Sequence, residues 1–153
     1  PSNLGFVCIG LDTWGYGDRL RETASELGIE ECLHWLDYAD VPHDQLRPWY
    51  AAAEALVLLS ACEAFPLTPF EAMAQGTPVI ASNLSSVPDV VGDAALVVDP
   101  YQIDQVAGAI NRLMNDQYLR QELALRGRQR SRSHTWTETA RQLVRIWQRE
   151  ATP

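Results

Sequence analysis

The 153-residue sequence contains no lysine, so all 12 of its strongly basic side chains are arginines. No apolar run reaches the roughly 20 residues that a membrane-spanning helix needs, and no signal peptide opens the chain. Cysteine is scarce and odd in number: Cys8, Cys32 and Cys62 stand far apart and form no Cys-x-x-Cys pair. Each lies in or beside an apolar run, so buried, reduced thiols of a cytosolic protein are expected. The three histidines, His34, His43 and His134, lack metal-ligand spacing and an obvious nucleophile partner. No metal and no histidine chemistry are assigned. Internal repeats and low-complexity segments are missing too. There is no initiator methionine and no polar lead-in before "GFVCIG". The sequence reads as a piece of a longer protein.

Charge is plentiful but divided. The net charge is −8. Residues 1–111 carry −13 and residues 112–153 carry +5. The acidic part argues against general nucleic-acid binding. The basic "RGRQRSRSH" (126–134) could face nucleic acid or an anionic membrane, but a solvated helix surface is the favoured reading. With 46% apolar and 21% charged residues, the chain suits one soluble globular domain with a real core, residues 1–153.

Short, continuous apolar runs recur at 5–10, 32–36, 55–60, 78–82 and 95–99. Continuity rather than alternation suits strands buried on both faces, as in a parallel sheet. Helix-like segments lie between them, at about 18–28, 44–53, 69–76 and 87–92. This order predicts an α/β doubly wound layer. After Asp99 only helices are expected. Asp99 with Pro100 should cap the first, whose Ile103, Val106, Ala107, Ile110, Leu113 and Met114 share one face. A basic helix follows at about 117–132. The last helix starts at Thr135 and Glu138, which have capping-box spacing, and its Trp136, Ala140, Leu143 and Trp147 form a stripe expected to pack.

The segment "CEAFPLTPFEAMAQGTPVIAS" (62–82) holds two glutamates eight positions apart. Thr68, Pro69 and Glu71 read as a capping box with proline in the first turn, which would confine Glu71 to a structural role. Glu63 has no such explanation. It follows "ALVLLSAC", at the carboxyl end of a presumed central strand, where open α/β sheets bind ligands. The next helix would point its free N–H groups into the same crevice, an anion site suited to phosphate. "GYG" (15–17) lacks the third glycine of a dinucleotide motif, since Leu20 stands there, and reads as a strand-to-helix loop.

At this point a resemblance becomes specific. "EAFPLTPFEAMAQGTPVIASNLSSVPDVVGDAALVVDP" closely resembles the carboxyl-terminal domain of the group 1 (GT4-type) retaining glycosyltransferases, whose hallmark is Glu, seven residues, Glu. The match runs upstream through "GLDTWGYGDRLRETASELG" and downstream into "SHTWTETARQLVRIW", and it looks most like the mannosyltransferase-like branch. The resemblance implies a GT-B fold of two Rossmann-like domains, this chain being the carboxyl-terminal, donor-binding one. Glu63 matches the catalytic-site glutamate that lies against the donor sugar hydroxyls. Ala64 and Phe65 match residues whose backbone faces the sugar. Leu67 and Thr68 match positions whose N–H groups meet the diphosphate, and Glu71 matches the glutamate that holds the nucleotide ribose. The implied reaction moves a hexose, with mannose as the candidate, from a GDP- or UDP-linked donor to a hydroxyl acceptor in polysaccharide or glycan biosynthesis. No metal and no further cofactor are needed in that scheme. The implied partners are the nucleotide-sugar donor and the missing amino-terminal domain, with no nucleic acid. The implied location is cytoplasmic, with a peripheral membrane contact as a candidate for the parent.

Three departures stand against the family pattern. Ala64 and Pro66 replace two usual glycines, Asp37 replaces another, and the family's Arg/Lys pair with its first strand and helix is not in this sequence. A gap in the sheet between "FVCIG" and "ALVLLS" is expected, and the 153 residues alone should transfer no sugar. The alternative reading is a non-catalytic, glycosyltransferase-like interaction or scaffold domain. A glycosidase pair is disfavoured: it needs one carboxyl kept protonated, whereas a helix N-terminus favours the ionised form of Glu71.

Overall fold

The computed structural model describes residues 4–10, 12, 15–37 and 39–150. They form two compact units, divided between Leu46 and Arg47.

In the first unit, β1 (Phe6–Ile9) and β2 (Leu33–Leu36) pair in parallel, with Phe6 opposite Leu33 and Ile9 opposite Leu36. Parallel strands need a crossover rather than a hairpin, and α1 (Tyr16–Glu26) supplies it. The Arg21 guanidinium lies 5.7 Å from the Trp35 ring centre, tying α1 to β2. The "GYG" loop proves to be a capped helix start. Asp12 accepts from Tyr16 N–H at 2.8 Å and from Gly17 N–H at 2.9 Å. The positive end of α1 is thus occupied by the chain's own carboxylate. A Cβ at Gly17 would come within 2.6 Å of Asp12 Oδ2, so the glycine makes room for that cap. Thr13 and Trp14 of the same loop lie outside the described residues. Asp37, where a glycine was the family pattern, opens a turn: its Oδ1 accepts from Ala39 N–H at 2.8 Å. This is a local Asx bond that requires no left-handed backbone.

The second unit holds β3 (Leu56–Leu58), β4 (Val79–Ser82) and β5 (Ala95–Val98), parallel and in the order β3-β4-β5. The described strands therefore make two ladders, and β1 and β3 belong to different ones, where the sequence predicted an interruption. The connections are α3 (Thr68–Gln75) and α4 (Val87–Val91), and α2 (Leu46–Ala52) leads into β3. Continuous apolarity has a direct cause here. Leu56, Leu58, Val79 and Ala81 join Phe70, Met73, Val87 and Val91 on one side of the sheet. Val57, Ile80, Leu96 and Val98 join Leu113, Leu119 and Leu123 on the other. A strand packed on both faces leaves little room for polar residues along its length. Ile80 is fully buried, which is worth about 2–3 kcal/mol over leaving it in water.

Three helices follow: α5 (Ile103–Asn115), α6 (Gln117–Ser133) and α7 (Trp136–Glu150). The Asp99 cap is a correction. Asp99 Oδ1 bonds Tyr101 N–H two residues on, at 2.9 Å, and Gln102 becomes the N-cap of α5. Aspartate offers the backbone this turn in competition with a helix start. The apolar face shifts with it. Ala109 and Leu113 are buried, Val106, Ile110 and Met114 are half-buried, while Ile103 is 82% exposed and Ala107 is also exposed. The Thr135 cap holds, accepting from Glu138 N–H at 3.2 Å. The α7 stripe is largely exposed: α7 has no buried position, and Trp136 is 77% and Trp147 65% exposed.

In the Arg-rich segment Arg126, Arg128 and Arg132 are exposed, as a solvated helix face would have them. Three arginines of α6 in addition reach carbonyls of other helices. Arg120 donates to Leu113 and Met114 at the end of α5. Arg128 donates to Gln75 at the end of α3. Arg130 donates to Val90 and Asp89 in α4. Helix carboxyl ends carry unpaired carbonyls and partial negative charge, so guanidinium groups belong there. Two of the three cysteines are half-buried, but Cys62 is exposed, against the expectation for all three. No described helix is long and apolar enough to cross a membrane.

Candidate functional site

Parallel strands put their carboxyl ends on one edge. The segments after β3 (59–67), β4 (83–86) and β5 (99–102) therefore leave the sheet together. The first contains Glu63, Ala64, Phe65 and Leu67, and it runs directly into Thr68 and Glu71 in the first turn of α3. All six predicted site residues thus belong to one strand-to-helix connection.

The predicted capping box at Thr68 does not form. Leu67 already has α-helical angles (φ −85°, ψ −28°) and is the N-cap, and its carbonyl accepts from Glu71 N–H at 3.0 Å. Helix formation starts one residue early, so Thr68 lies inside the helix rather than before it. The Glu71 side chain is directed elsewhere: its Oε2 accepts from Tyr50 Oη at 2.9 Å. Tyr50, on α2, is fixed in turn by Thr77 Oγ1, which donates to the Tyr50 carbonyl. At the start of α3 the N–H groups of Leu67, Thr68 and Phe70 have no intrahelical acceptor, and Pro69 has no N–H to leave unpaired.

Glu63 is half-buried, and its backbone is held from the next loop. Glu63 N–H donates to Ser85 Oγ at 3.2 Å. The Glu63 carbonyl accepts from Ser85 Oγ at 2.7 Å and from Ser86 Oγ at 2.8 Å. Ser85 has φ 56°, the only left-handed non-glycine among the described residues. Ala64 and Pro66 are therefore not in that region, and replacing glycine there imposes no left-handed strain. Pro66 is buried, while Phe65 is 56% exposed. The Phe65 ring centre is 5.8 Å from that of Phe70, and Phe70 stacks on His134 at 4.7 Å. His134 ends α6, so the α6–α7 junction touches the residues that back this loop.

Tyr50, Ser85 and Ser86 were not singled out by the sequence. The polar run "SNLSS" between two apolar elements was the only local signal, and nothing near Tyr50 marks it. Among the described residues, no group of three or more His, Cys, Asp or Glu side chains is placed to hold a metal. Chemically, the edge offers a carboxylate on a clamped loop, a second carboxylate at a helix start, and backbone donors between them. Such a set reads hydroxyl groups and an anion.

Comparison with known proteins agrees with this architecture. The family model described as "Glycosyl transferases group 1" matches residues 2–130. The O-antigen chain mannosyltransferase B of Escherichia coli is 36% identical over 134 residues, covering 87% of this chain and 35% of the relative. Among solved structures, sucrose-phosphate synthase from Thermosynechococcus elongatus superposes with a TM-score of 0.82 at 26% identity, covering 94% of this chain and 37% of that one. HepE from Anabaena, crystallised in complex with UDP, shares the fold with a TM-score of 0.82 at 22% identity, covering 98% of this chain and 42% of that one. The chain thus spans about a third of the length of its curated relatives. Its parallel sheets and flanking helices have the Rossmann-like form of the carboxyl-terminal GT-B domain. By the match over residues 2–130, the chain belongs to the group 1 glycosyl transferases.

Proposed function

We propose that the carboxyl edge of β3–β4–β5 binds a nucleotide sugar, and that the chain is the donor-binding part of a retaining hexosyltransferase. The observation that carries this reading is the placement of Glu63 and Glu71 on either side of the α3 start, at the edge where parallel sheets bind ligands. Glu63 accepts hydrogen bonds from the hexose hydroxyls, beside the backbone of Ala64 and Phe65. The backbone of Leu67 and Thr68 and the α3 dipole stabilise the diphosphate, whose negative charge grows as the sugar leaves. Glu71, steadied by Tyr50, accepts from the ribose hydroxyls. Metal is not required for this charge balance.

The name of the Escherichia coli relative favours mannose, and the UDP complex of HepE favours a nucleoside diphosphate leaving group. The relatives are about three times as long, so acceptor binding and transfer are assigned to a longer protein. The product is a glycan or polysaccharide linkage formed with anomeric retention. The 153 residues alone should bind donor but transfer no sugar.

Titration calorimetry with UDP-, GDP- and ADP-linked sugars tests the reading. One of them should bind, and Glu71→Ala should weaken it by about 10- to 100-fold, the worth of a hydrogen bond to a charged group. Absence of binding by every donor, or an unchanged affinity in Glu71→Ala, would overturn the assignment.

A further inference from the structure

The loop after β4 is built unlike the other connections of the second unit. Ser82, fully buried, accepts from Leu84 N–H at 3.0 Å, and Asn83 N–H bonds the Val98 carbonyl at 2.8 Å. These bonds hold residues 83–86 against the ends of β4 and β5. The loop then spends a left-handed, non-glycine backbone on Ser85 (φ 56°). Glycine takes this conformation freely, and serine does not. The left-handed turn coincides with a hydroxyl that serves both sides of one residue. Ser85 Oγ accepts from Glu63 N–H and donates to the Glu63 carbonyl, and Ser86 Oγ donates to the same carbonyl.

We infer that Ser85 and Ser86 are positioning residues that clamp the Glu63 backbone and thereby aim its carboxylate at the sugar of the donor. The inference rests on the donor-site reading above. Its physical basis is that Glu63 follows a strand and precedes a proline-containing loop, with no ladder or helix bond of its own to fix it. Both polar groups of its backbone are used by side chains from 22 and 23 residues away. A loop so held has fewer orientations to lose when a ligand binds. The clamp acts on the sugar end, because Glu71 and the α3 start hold their own positions through Tyr50 and the Leu67 carbonyl. Sugar discrimination and nucleotide affinity should therefore separate in variants of these two serines.

Ser85→Gly makes this testable, since it removes the hydroxyl while relieving the left-handed strain. Calorimetry on the full chain should compare UDP-glucose and GDP-mannose with UDP and GDP. In Ser85→Gly and Ser86→Ala, affinity for the sugar nucleotide that binds should fall about tenfold, the usual worth of a lost hydrogen-bond set. Affinity for its free nucleoside diphosphate should stay within about twofold, and the melting temperature should hold. Ser86→Thr keeps the donor hydroxyl and should bind as the unaltered chain does. If the unaltered chain binds but the variants match it, the clamp is wrong and the donor site stands. A parallel loss of sugar-nucleotide binding, nucleotide binding and stability would also sink the clamp, because it would mark a purely structural role. If the unaltered chain binds none of the four probes and no ADP-linked sugar, the donor reading and the clamp fall together.

Discussion

Glu71 and Glu63 are both acidic and lie in one connection, yet different neighbours control them. Glu71 meets a phenol from α2, at 2.9 Å. Removing that phenolic hydroxyl leaves the carboxylate in place but less constrained. Tyr50→Phe should keep the fold and weaken nucleoside diphosphate binding about fivefold, as calorimetry and thermal melting together would show. Cys62, next to Glu63, gives a second readout. It is exposed, whereas burial pushes the Cys8 thiol up. Iodoacetamide at neutral pH should alkylate Cys62 before Cys8, and a bound sugar nucleotide should slow Cys62 only. Mass spectrometry of timed digests would reveal the reverse order if the loop is not as open as described. The spacing of the two glutamates was readable in the sequence because it is local. Tyr50 and Ser85 were not, because they reach their partners across 21 and 22 residues and no short-range pattern encodes that.

Elements were legible where one periodicity dominates. The five apolar runs became five strands, since burial on both faces leaves a continuous apolar signature. Helix ends were less legible, because several groups compete for the same backbone donors. Thr135 caps α7, while Thr68 is drawn into α3 and Asp99 turns on itself. The acceptors of three α6 arginines were illegible for a related reason: they are carbonyls of other helices, invisible to a charge count. Arg130 donates to the Val90 carbonyl at 2.6 Å. Arg130→Gln should cost about 1–2 kcal/mol, measured as a lower urea midpoint at unchanged m. No loss would mean those carbonyls are solvated well enough without it. Gly127 is a second case. It is buried in α6, and a Cβ there would lie 2.9 Å from Met73 Cγ on α3. Alanine would gain about 1 kcal/mol of helix propensity but incur about 1–3 kcal/mol of overpacking. Gly127→Ala should therefore be neutral to destabilising by up to about 2 kcal/mol, and a clear stabilisation would contradict the close approach.

At the scale of the molecule, two units carry different shares of the evidence for function. The second holds the three-stranded sheet, both glutamates and every hydrogen bond described around them. The first repeats the strand-helix-strand theme, but the start of α1 is already filled by Asp12. Fold class and family were legible because the motif pattern runs through most of the chain. The environment of α7 was not, since its stripe was expected to pack and its tryptophans are exposed. The central claim is one of location, and amide chemical-shift mapping tests it most directly. Adding UDP-glucose or GDP-mannose to the isotope-labelled chain should shift the amides of Glu63–Glu71 and Asn83–Ser86, with smaller changes in α1 and α7. Shifts confined to α1 or α7, with the segment from Glu63 to Glu71 unmoved at saturation, would contradict it.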